Sequence, residues 1–76
     1  MNAPRRRKIG KIAEQLQALK DQLEELLEEE QEAFDNIPEA FQETDRYTEA
    51  EEKLGYFDDA IDSLAEVIDN LSDATH

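Results

Sequence analysis

YTEAEEKLGYFDDAIDSLAEVIDNL, residues Tyr47 to Leu71, is the stretch on which the fold turns. Steps of three and four residues in alternation pick out Tyr47, Ala50, Leu54, Phe57, Ile61, Leu64, Ile68 and Leu71. No polar residue interrupts the series. Such spacing keeps its members on one side of an α-helix, because a helix turns once in 3.6 residues and a coiled-coil seam needs a period of 3.5. The acids lying between these positions then point away from the seam.

A second seam precedes the first. Ile9, Ile12, Leu16, Leu19, Leu23, Leu26, Glu30, Ala33 and Ile37 follow the same alternation with one polar exception. The tract EELLEEEQEAF, Glu24 to Phe34, reads on this basis as a helix exterior, with Leu23, Leu26, Leu27, Ala33 and Phe34 turned from water. High charge with few aromatics also describes disordered chains. Two seams of several heptads argue for a fold. With only two glycines and two prolines, the class is all-α.

Helix 1 is expected over about 4–36, with Pro4 in its first turn after Asn2 or Ala3 and an end forced by Pro38. A connection over 37–46 contains a helical turn at PEAF, for which Asn36 and Glu39 have capping-box spacing. Helix 2 is expected over about 47–72, capped by Thr44 or Thr48. Residues 1–8 read as a basic tail or first turn, 9–73 as a single domain, and 74–76 as a short tail.

If the connection reverses the chain, Ala33 meets Ala50, Glu30 meets Leu54, Leu26 meets Phe57, and both seams end together. The expectation is an antiparallel helical hairpin, coiled-coil-like. Ala13, Leu27 and Phe34 flank one seam, and Ala60 and Val67 flank the other. Two helices leave these flanks uncovered, so a homodimer in the form of a four-helix bundle is expected to close them. A partner helix taking the same stripe is the alternative.

The charge is lopsided. Residues 1–11 hold five cations and no acid, while residues 12–76 hold three cations and twenty-one acids, for a net charge of −13. Such a body repels nucleic acid and anionic lipid and attracts basic proteins. The acids of helix 2, Asp58, Asp59, Asp62, Glu66, Asp69 and Asp73, form the candidate partner-binding face. Helix neighbours three and four apart stand roughly 5–6 Å from one another, comparable with phosphates along a nucleic-acid strand. Five of the six are aspartate, a poorer helix former than glutamate, which solubility alone does not call for. Phe41 and Tyr56 are candidate aromatic contacts. Arg5, Arg6, Arg7 and Lys8 offer the one place for phosphate contacts, but pairing with Glu66, Asp69 and Asp73 across the hairpin is the favoured reading.

Catalysis and metal binding are not expected. His76 is the only histidine and no cysteine occurs, so thiolate ligation and disulfides are excluded. DDAID lacks the pattern of an EF-hand loop, and no Glu-x-x-His pair is present. No cofactor is implied. No apolar run approaches a membrane span, and the basic start lacks the apolar stretch of a signal peptide, so a cytoplasmic location is expected.

The segments EEEQEAFDNIPEAFQETDRY, Glu28 to Tyr47, and FDDAIDSLAEVIDNL, Phe57 to Leu71, resemble short acidic two-helix proteins encoded by bacteriophages and integrative elements of gut bacteria. The shared features are a basic Arg-Arg-Arg-Lys start, an acidic bend before Pro38, and a second helix rich in Asp-Ala-Ile-Asp. The resemblance implies a mobile-element protein in a bacterial host cell and carries no residue roles. By analogy of size and charge, it suggests an inhibitor that occludes a nucleic-acid groove, a DNA mimic of the anti-CRISPR type.

Overall fold

Residues 1–76 are described by a computed structural model, which is all-helical and without strands. Helix α1 spans Ala3–Asp35 and helix α2 spans Asp45–Thr75, with a 3-10 turn at Glu39–Phe41 between them.

Each boundary has a local cause. The Asn2 side-chain oxygen accepts the Arg5 amide at 2.9 Å, and Pro4 stands in the first turn, where an N–H would have no helical partner. At the other end the Asn36 amide donates to the Glu32 carbonyl at 3.2 Å, and Pro38 stops the helix from continuing. Asn36 therefore closes α1. It does not cap the next turn, which begins after Pro38 without a side-chain cap.

Thr44 caps α2. Its hydroxyl accepts the Tyr47 amide at 3.3 Å and donates to the Phe41 carbonyl at 2.7 Å, tying the 3-10 turn to the helix. Thr48, the other expected cap, lies inside α2 and bonds the Thr44 carbonyl at 3.5 Å. The helix also runs past the expected 72, to Thr75, whose hydroxyl donates to the Leu71 carbonyl at 2.9 Å.

The two helices pack on each other, and the molecule measures 60 × 15 × 13 Å. Its radius of gyration is 17.5 Å, against about 11 Å for a compact domain of this length. Packing covers little. Leu54, at 9% exposure, is the one buried residue.

On α2 the expected seam is turned inward: Tyr47, Ala50, Ile61, Leu64, Ile68 and Leu71 are half-buried around Leu54, and only Phe57 stays open. On α1 the expectation needs correction. Ile12, Leu19 and Leu26, placed on the seam, are 49%, 52% and 57% exposed. Ala13, Leu27 and Phe34, assigned to a stripe free for a second copy, are half-buried instead. The helix is thus rotated by one column of its heptad. An aromatic contact explains the direction: Phe34 stacks on Tyr47 with ring centroids 4.6 Å apart. Rings bury more area than Leu or Ala and gain further from offset stacking.

Candidate protein-interaction surfaces

Rotation of α1 gives the molecule two unlike grooves. The first is apolar. Leu23, Leu26, Leu27, Ala33, Phe34 and Ile37 line it with Ala50, Leu54, Phe57, Ala60 and Ile61, and Glu30 and Lys53 are its only charged residues. Glu30, expected on the seam opposite Leu54, is exposed and borders this groove.

The second groove is acidic. Glu24, Glu25, Glu28, Glu29, Glu32 and Asp35 of α1 line it with Asp58 of α2, and no cation is among its lining residues. Sequence reading placed the functional acids on α2. Of those, Asp58 enters the groove, whereas Asp59, Asp62, Glu66, Asp69 and Asp73 stand exposed along α2. In sequence the acids of α1 show only a wet face, because periodicity tells inside from outside but not which outer columns share a groove. These carboxylates do not gather into a group of three or more that could hold a metal ion.

One cation matters that sequence reading passed over. Lys20 continues the inward column of Ala13, Leu27 and Phe34, so its stem is half-buried while its ammonium pairs with Glu24. The hydrogen bond it donates to Glu24, aided by the fields of Glu24, Asp21 and Asp62, holds its pKa above the usual lysine range despite some desolvation. A long stem along the interface with a charged tip in water is ordinary for lysine. The seven-residue spacing 13, 20, 27, 34 was the available signal.

This pair is the molecule's single salt bridge. Arg5, Arg6, Arg7 and Lys8 are exposed in the first turns of α1, and Arg6 donates to the Met1 carbonyl at 3.1 Å. The expected ion pairs with Glu66, Asp69 and Asp73 do not form. Those acids sit on α2 columns turned from α1, where no ammonium or guanidinium of the first turns comes within 4.0 Å. Phe41, in the 3-10 turn, and Tyr56, on α2, are both exposed.

Gly55 lies inside α2. A Cβ built there meets nothing within 4 Å, so no neighbour requires the glycine. No helix is long and apolar enough to cross a membrane. No family model, no curated protein and no solved structure matches the chain.

Proposed function

We propose that the chain is a non-enzymatic protein-interaction module: an antiparallel helical hairpin whose carboxylate-rich side docks on a basic surface of a partner protein. Several observations support the hairpin. Phe34 and Tyr47 stack beside the connection, and Lys20 lies within the field of Asp62. The molecule is 60 Å long, little more than the ~50 Å of a 33-residue helix, so the two helices lie side by side.

The acidic groove carries the docking reading. Six carboxylates of α1 and one of α2 line one shallow, open strip with no cation among its lining residues, and a surface of one sign raises encounter rates with an opposite surface. Capture of the partner is then fast and strongly salt-dependent. In its sharper form the module occupies a site that otherwise holds nucleic acid, and inhibits by exclusion.

Immobilised wild-type chain and a variant with Glu28→Lys, Glu32→Lys, Asp35→Lys and Asp58→Lys, exposed to bacterial lysate at low and high salt, test this. A basic protein held by the wild type at low salt should be lost from the variant, and DNA should compete for it. Equal retention by both chains, with helicity intact, refutes docking through this groove.

A further inference from the structure

We infer that the apolar groove is covered by a second copy of this chain, packed face to face in a four-helix bundle. The open face is continuous across both helices. Ile12, Leu19 and Leu26 of α1 are about half exposed, and so are Phe57 and Val67 of α2, at 47% and 45%. Together with Leu23 they present on the order of 500 Å² of apolar surface, near the upper end of what a soluble monomer shows in one patch.

The lone chain exposes far too much surface for its mass. Its accessible area is 6250 Å² at 8.8 kDa, against about 4,800 Å² for a compact monomer of that mass. Two such faces in contact bury about 1,000 Å² of side chain before their polar borders are added, the scale at which a specific interface becomes stable. A bundle of four helices also supplies the layer of packing that one buried leucine does not.

Charge identifies the occupant. The α2 columns bordering the open face hold Arg46, Glu49, Lys53, Tyr56, Ala60, Ser63, Val67, Asn70 and Ala74, with Glu49 their one acid. Beside the open column of α1 stand Lys8, Gln15, Gln22 and Glu29. A chain of net charge −13 has thus kept nearly all its carboxylates off this one side. A basic amphipathic helix would find few counter-charges there and many on the opposite side. A copy of the same face meets no net like-charge barrier, because Lys8, Arg46 and Lys53 offset Glu29, Glu30 and Glu49, and the other carboxylates of both copies point outward.

Light scattering after gel filtration of the full chain should give twice the 8.8 kDa chain mass. The melting temperature should rise by about 4 °C per tenfold increase in concentration, as unfolding coupled to dissociation requires. Leu26→Glu with Phe57→Glu should give a monomer, whereas Glu28→Lys with Asp59→Lys, on the outer columns, should leave the dimer intact. A wild-type monomer refutes the proposal, whether it melts cooperatively or remains molten and awaits another partner. A dimer that survives the Leu26 and Phe57 changes refutes it too, by placing the interface elsewhere. Should the double variant fail to fold, the concentration dependence of the wild type still decides, since a constant melting temperature excludes the pair.

Discussion

Truncation of Leu54 to alanine is the most searching test of which residues lie inside. Leu54 is the only buried side chain, at 9% exposure, and lines the apolar groove together with Phe34 and Ile37 of one helix and Ala50 and Ile61 of the other. Leu→Ala in a covered site costs about 2–5 kcal/mol, more where the cavity cannot collapse. Here the site borders an open groove and can relax, which puts the cost near 2–3 kcal/mol. At about 4–8 °C per kcal/mol for a domain of this size, melting should fall by about 10–20 °C.

Leu26→Ala is the matched comparison. Leu26 is 57% exposed in the single chain, so less than half of its side chain is there to lose, worth under ~1 kcal/mol on area. Covered by a second copy, it would join Leu54 in the larger range. Melts followed by circular dichroism at two concentrations read both variants. A shift under ~3 °C for Leu54→Ala would mean that the inner column is misassigned, and the division into two grooves would go with it.

Two further changes follow from local geometry. Gly55→Ala should raise the melting temperature by several degrees, because the added methyl meets open space and helical glycine costs ~0.5–1 kcal/mol relative to alanine; a loss of stability would contradict the open surroundings. Lys20 should give a signature at high pH. Its pKa is raised in the fold chiefly by the hydrogen bond to Glu24, so its contribution is complete below the unfolded value of ~10.4 and fades as pH climbs through the higher folded value. The melting difference between wild type and Lys20→Met should therefore be constant to about pH 10 and change only above it. A difference that varies between pH 7 and 9 would refute the assignment.

Several features were legible from residue types alone. Pro38 and the Asn and Thr caps gave two helices and a turned connection, since these residues act within a few positions of themselves. The acidic bias of helix 2 likewise placed Asp59, Asp62, Glu66, Asp69 and Asp73 outside, as found. The composition of the acidic groove was not legible, because it joins columns of two helices that are far apart in the chain.

Helix identity, the stop at Pro38 and the inward face of α2 were determined by sequence, because one column pair of α2 holds an apolar series that no charged residue interrupts. Helix α1 carries apolar residues in three adjacent columns: Ile9–Leu16–Leu23, Ile12–Leu19–Leu26 and Ala13–Leu27–Phe34. Periodicity cannot choose between rotations of one column, about 50° apart, when both bury leucines. Tertiary contact made that choice. Stacking of Phe34 on Tyr47 and the stem of Lys20 drew the third column inward, and in doing so left a leucine-rich side of α1 open to water.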